Sequence, residues 1–140
     1  MKRILIGLMF TVFMAVSIFA QEAGNSITVN ITGMKSDVGD VYVALFNDED
    51  SFLKDSYKSL IGEVNSKESV VKFEDVPDGV YAISVFHDEN DNKEMDTNFI
   101  GIPKEAMATS NGIINKYGPP KYKDATFTVK EDIIISIVVK

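Results

Sequence analysis

From Ser26 onward, apolar side chains return at every second position, and that period confines the chain to folds made of pleated sheet. In "SITVNITG", Ile27, Val29 and Ile31 share one face while Thr28, Asn30 and Thr32 share the other. Successive side chains of a strand point to opposite sides, so this stretch is a half-buried strand. "DVYVALFN" is apolar on both faces, with Val41, Val43 and Leu45 against Tyr42, Ala44 and Phe46, as a central strand would be. "SVVKFEDV" and "VYAISVFHD" are joined through Val76-Pro77-Asp78-Gly79, where proline presets the first turn residue and glycine accepts positive φ. "ATFTV" and "DIIISIVVK" follow, separated by the charged turn Lys130-Glu131-Asp132. Strands are therefore expected at 26–32, 40–46, 69–74, 80–87, 125–130 and 132–139.

Six to seven short strands with turn signals between them imply an all-β fold, an antiparallel β-sandwich of immunoglobulin-like form. One helical candidate interrupts the pattern. In "NDEDSFLKDSYKSL", Phe52, Leu53 and Tyr57 fall at roughly helical spacing and Asp48 is placed to cap. The segment from Glu89 to Asp124 fits neither period, and it holds three of the four prolines, Pro103, Pro119 and Pro120. So long a stretch inside a compact domain reads as one long ordered loop, packed or functional.

The amino-terminal residues follow another logic. Lys2 and Arg3 precede the apolar run Ile4 to Phe19, and Ala20 then leads into the polar "QEAGNS". Charge, apolar run and small residue in that order form a secretory signal peptide at 1–20. The run is shorter than the roughly 20 residues a membrane-crossing helix needs, so no transmembrane span is expected after processing. One domain then occupies 21–140 and is exported to the periplasm, cell envelope or extracellular space. Without Lys2 and Arg3, 12 basic residues face 21 acidic ones, a net charge of −9. That surface repels phosphate backbones, and nucleic acid is excluded as a partner. The chain has no cysteine, so an exported fold must hold without disulfides.

The loop opens with "HDENDNKEMDTN", in which Asp88, Glu89, Asp91, Glu94 and Asp96 crowd five acidic groups into nine residues. Calcium takes six to eight oxygens, and a coiled loop supplies them from alternate positions. With Asp88 counted first, Asn90 is third, Asn92 fifth, Glu94 seventh and Asp96 ninth. Asp88, Asn90, Asn92 and Asp96 would offer side-chain oxygens, and Glu94 its carbonyl. This is the opening of an EF-hand loop. The match stops at the sixth position, Lys93 instead of glycine, and at the twelfth, Phe99 instead of glutamate. Glu105 and Asp124 are the candidate completing carboxylates. Without them affinity would fall on the order of 10⁻⁴–10⁻³ M. Calcium is the only cofactor this pattern suggests. The alternative is a solvated turn whose Asp and Asn side chains bond their own backbone.

The run "FEDVPDGVYAISVFHDENDNKEMDTNFIGIPKEAMATSNG", continuing to "GPPKYKDATFTV", resembles the bacterial exported-protein family catalogued as domain of unknown function 2141. The resemblance rests on His87-Asp88, Asn90, Asn92, Asp96-Thr97-Asn98, Gly101, Pro103, Glu105, Ser110-Asn111 and Gly118-Pro119-Pro120. It implies the sandwich fold and export, and no chemistry. Lys93 and Ala106 stand where that family tends to have glycine, and Thr109 where an aromatic is common. "VPDGVYAISV" is also similar, over a shorter span, to the hairpin of transthyretin-like and carboxypeptidase-regulatory sandwiches.

Three functions fit these residues. The first is a non-enzymatic envelope or surface module, calcium-stabilised, binding a protein or glycan partner. The second is an accessory envelope domain without metal. The third is a small hydrolase built on His87, the single histidine, with Ser110. No Gly-x-Ser-x-Gly elbow supports the third, and a lone histidine falls short of the ligands a zinc enzyme needs. No catalytic residue is assigned, and His87 is expected to bond a loop carbonyl. Tyr117 and Tyr122, flanking Gly-Pro-Pro, are expected to pack the loop onto the sandwich.

Overall fold

The alternating stretches pair into two sheets that face each other across their apolar sides. A computed structural model describes residues 24–112 and 118–140; the expected signal peptide at 1–20 and Tyr117 lie outside the described residues. In chain order the elements are β1 (Asn25–Thr32), β2 (Asp40–Phe46), β3 (Lys58–Glu63), β4 (Glu68–Val76), β5 (Gly79–Asp88), β6 (Met107–Thr109), α1 (Tyr122–Ala125), β7 (Thr126–Val129) and β8 (Ile133–Val138). The first sheet runs β4-β1-β8 and the second β3-β2-β5-β6, with β7 also pairing to β5. No helix among the described residues is long and apolar enough to cross a membrane.

The core lies between the sheets. Ile27, Val29 and Ile31 of β1 meet Val41, Val43 and Leu45 of β2, with Phe73 and Ile83 among the largest side chains fully enclosed. Each such side chain contributes about 1.5–3 kcal/mol through burial. The same alternation leaves Tyr42, Ala44 and Phe46 on the outer face of the second sheet. There a smaller cluster of Phe46, Phe52, Ala82 and Ala125 forms, with Ala44 and Tyr122 against it. In β4 the alternation slips near its end: Asp75 adopts φ 53° and the β1–β4 register shifts opposite it, returning Val76 to the core. That is a β-bulge.

All six expected strands lie within about two residues of their expected ends, and β3 and β6 are additional. Three expectations need correction. The stretch 47–60 is not helical: residues 49–55 form turns, Leu53 sits at φ 60°, and β3 begins at Lys58. Asp48 does cap, but only a turn, its carboxylate accepting from Ser51 N at 2.9 Å. The segment 89–124 is interrupted by β6 and by the start of α1. The sandwich is not wholly antiparallel, because β8 runs parallel to β1, with Ile27 opposite Ile133 and Thr32 opposite Val138.

The chain crosses between sheets at the tight β3–β4 hairpin. Ser66 and Lys67 both take positive φ, 55° and 61°. A two-residue turn of that hand usually needs Asn-Gly. Here the Asp37 carboxylate accepts from both strained residues, from Lys67 N at 2.6 Å and Ser66 N at 3.2 Å.

Candidate functional site

β5 carries the site at its last two residues. Its inward series of Tyr81, Ile83 and Val85 ends at His87, and its outward series of Ala82, Ser84 and Phe86 ends at Asp88. Both are fully buried. His87 Nε2 donates to Val38 O at 2.7 Å, and His87 N donates to Ala106 O at 2.9 Å. The expected bond to a loop carbonyl is thus present. With Nε2 committed as donor, Nδ1 has no hydrogen-bond partner, and the nearest carboxylate oxygen, Glu89 Oε1, is 3.5 Å away. Gly39 packs so tightly beside this strand end that a Cβ there would lie 1.8 Å from Asp88 O, at φ +77°.

Asp88 anchors the loop that follows. Its carboxylate accepts from Lys93 N at 2.8 Å and from Asn92 N at 3.3 Å. These bonds curl the chain back over the strand end, with Asp91 at φ 53° and Lys93 at φ 66°. Lys93 therefore occupies the left-handed conformation that the sixth position of such a loop demands, without the glycine that adopts it freely. Asp96 sits at the centre of the curl. Its carboxylate accepts from Asn90 Nδ2 at 2.6 Å and from Asn92 Nδ2 at 2.9 Å, and its N–H donates to Glu105 Oε2 at 3.1 Å. Glu94 joins through its N–H, which donates to Asn92 Oδ1 at 2.9 Å. Asn90, Asn92, Asp96 and Glu105 are thus directly linked, and Asp88 is linked through the Asn92 backbone. Asp124 is not part of this network: it lies in α1, where its carbonyl accepts from Asn111.

Beyond Asp96 the chain makes a closed knuckle. Asn98 Oδ1 accepts from Ile100 N at 3.0 Å and Ile102 N at 2.9 Å, Asn98 N donates to Ile102 O, and Thr97 bridges to Pro103. Gly101 supplies the positive φ of 81°. The knuckle holds Phe99 99% exposed, with Ile100 and Ile102 also largely in solvent. Between the knuckle and the outer face of the second sheet lies an open cleft of about 1080 Å³. Its floor includes Tyr42 and Phe86, whose rings stack at 5.0 Å; Ile102 and Pro103 contribute to one wall, Leu53 and Pro120 to others. Partial burial, then the charges of Asp88, Asp91 and Asp40, hold the Tyr42 phenol above its ordinary range.

The remaining motif residues stitch the loop down. Ser110 Oγ accepts from Ile83 N at 3.0 Å and donates to Ala125 O in a short bond, while Asn111 Nδ2 donates to Asp124 O and Thr126 O, both at 3.0 Å. The hydroxyl once paired with His87 in a hydrolase scheme is committed to backbone. Tyr122 packs edge-on to Phe52 at 5.5 Å and donates to Val80 O at 3.3 Å, the packing role expected of it. Among the described residues no group of three or more His, Asp or Glu stands ready to hold a metal ion, so amide oxygens would have to complete any coordination sphere. The cleft itself was not expected from the residues. Its signal was the density of apolar residues at Phe99, Ile100 and Ile102 in an otherwise polar loop.

Two sheets, an Asx-rich loop and a cleft beneath it define the chain as a loop-bearing β-sandwich. Residues 29–135 match the family model described as "Uncharacterized protein conserved in bacteria (DUF2141)", and the chain belongs to that family. No curated protein matches the chain, and no solved structure does.

Proposed function

We propose that this chain is an exported, non-catalytic binding module of the cell envelope, holding a protein partner in the cleft beneath the Asx loop, with calcium tightening that loop. One observation carries this: the segment in which Asn90, Asn92, Asp96 and Glu105 converge is continuous with the knuckle that walls the cleft. Rotating the two amides by half a turn exchanges their donor NH₂ groups for oxygens. Together with Asp96 and Glu105, those oxygens form the hard donor set that calcium prefers. The apolar floor and walls favour a protein segment over a glycan, and the commitment of Ser110 and of His87 Nε2 to backbone supports a role without covalent chemistry.

Melting curves with excess calcium and with chelator test the ion. At 100 times the dissociation constant, calcium supplies about 2.7 kcal/mol, a rise on the order of 10 °C for a domain of this size. Asp96→Asn removes most of that rise, and Asp91→Asn, outside the network, spares it. Superimposed curves across millimolar calcium would leave the second reading, an envelope module without metal. That reading is favoured by the amide-to-carboxylate bonds at Asp96, which already satisfy the loop internally.

A further inference from the structure

Strand register divides the floor of the cleft into rows. Across the outer face of the second sheet, Ser59 stands opposite Ala44, Ala44 opposite Ser84, and Ser84 opposite Thr109. Residues directly opposed in antiparallel strands share a face, so these four small side chains form one row crossing β3, β2, β5 and β6. On one side of it runs the bulkier row of Ile61, Tyr42, Phe86 and Met107. On the other side stands Phe46, with Phe52 edge-on to it at 5.1 Å. Rows two residues apart along a strand are separated by about 7 Å. The small row is therefore a trough between aromatic ridges, and all four of its residues line the cleft.

The trough deepens in one direction. Ser59 is exposed, Ala44 half-buried, Ser84 7% exposed and Thr109 2% exposed. At the closed end, Thr109 Oγ1 has no hydrogen-bond partner. Its strand is not free to drift towards one. Ser110, the next residue, pins β6 to β5: its N–H donates to Ile83 O and its Oγ accepts from Ile83 N, both at 3.0 Å. A hydroxyl buried without a partner costs a fold stability, and this one is aimed into a cleft.

We propose that the trough takes a tyrosine side chain of the partner protein, its ring between the aromatic ridges and its hydroxyl on Thr109 Oγ1. This rests on the reading of the cleft as a partner site and names what enters it. The flanking rings suit an aromatic body. The closed end selects a neutral polar tip. Phenylalanine would leave the Thr109 hydroxyl unpaired, and a charged tip would lose its water with no opposite charge in the row to meet it. Tyrosine carries both parts on one stiff side chain, with its donor and acceptor oxygen at the far end.

Titration of the purified protein with N-acetyl-tyrosinamide and with N-acetyl-phenylalaninamide, followed by the amide resonances of Ser84 and Phe86, is the test. The tyrosine compound binds on the order of tenfold more tightly. Thr109→Val, which exchanges the hydroxyl for a methyl, removes that difference without weakening the phenylalanine compound, and Thr109→Ser keeps it. Thr109→Val also melts no lower than the parent, because the hydroxyl it removes bonds nothing in the free protein. Equal binding of the two compounds by the parent overturns the proposal and leaves the cleft a site for apolar side chains. Binding of neither overturns the proposal together with the partner reading of the cleft. A preference that survives Thr109→Val, or a Thr109→Val protein that melts several degrees lower, also overturns it.

Discussion

Replacing Asp88 measures how much the Asx loop depends on one buried carboxylate. Asp88→Ala removes the acceptor for Lys93 N at 2.8 Å and for Asn92 N at 3.3 Å, the latter shared with Asn90 Oδ1 at the same distance. A hydrogen bond to a charged group contributes about 1.5–3 kcal/mol. The Lys93 bond counts in full and the shared one in part, while both freed N–H groups regain some water at the loop surface. The net cost is about 3 kcal/mol, and for a domain near this size the melting temperature falls by roughly 10 °C. Asp88→Asn keeps one acceptor oxygen and costs roughly half as much. Asp91→Asn, exposed and outside the network, stays within about 0.5 kcal/mol of the parent. The melts belong in chelator, so that ion binding does not enter. An Asp88→Ala protein melting within about 2 °C of the parent would show that the loop is held by something other than this carboxylate.

Lys93→Gly relieves a left-handed backbone at φ 66°; set against the entropy glycine loses on folding, the gain is about 0.5 kcal/mol, read as a shift in the denaturation midpoint. Gly39→Ala drives a Cβ to 1.8 Å from Asp88 O and costs about 3 kcal/mol or more by the same measurement, because the atoms it meets are backbone and cannot swing aside as a side chain would. Burial first, with smaller contributions from neighbouring charges and phenols, raises the Tyr81 and Tyr122 phenols above 10.0. The folded state thus holds their protons where the unfolded state releases them. Stability is then fully present below pH 10 and falls as pH rises through the folded values, so thermal melts followed at about pH 9 and about pH 11 separate in that direction.

Local rules made most of the strands legible. Alternation located β1, β2, β4, β5 and β8 because one face of each meets the core, and Val76-Pro77-Asp78-Gly79 announced its own turn. β3 escaped for two physical reasons. One of its inward positions is Gly62, which leaves space for Ser69 and Val71 where an apolar side chain would have marked the period. The turn after it, Ser66-Lys67, relies on Asp37 from 30 residues away, and no local pattern shows such a prop. β6 is three residues long, too short to display a period. In the loop, spacing alone brought Asp88, Asn90, Asn92 and Asp96 together, since Asx side chains reach neighbouring backbone whichever cation is offered. Between the two candidate completing carboxylates, Glu105 joins and Asp124 does not. The knuckle at 97–103 folds back to bring one near, while Asn111 ties the other to β7. The parallel direction of β8 left no mark, because hydrophobic alternation is the same in either orientation.

That parallel pairing also sets a timetable. Ser26 and Asp132 touch across 106 positions of sequence, so β1, the first strand of its sheet to be made, waits for β8, the last. Before β8 emerges, β1 has only β4 beside it in its sheet, and a two-stranded ribbon is marginal in water. Chains dominated by such distant pairings fold in milliseconds to seconds rather than microseconds. A growing chain therefore cannot complete this sheet until β8 has been made. A chain stopped short of Ile133 should be cleared by proteases, since the sheet it has begun cannot be finished.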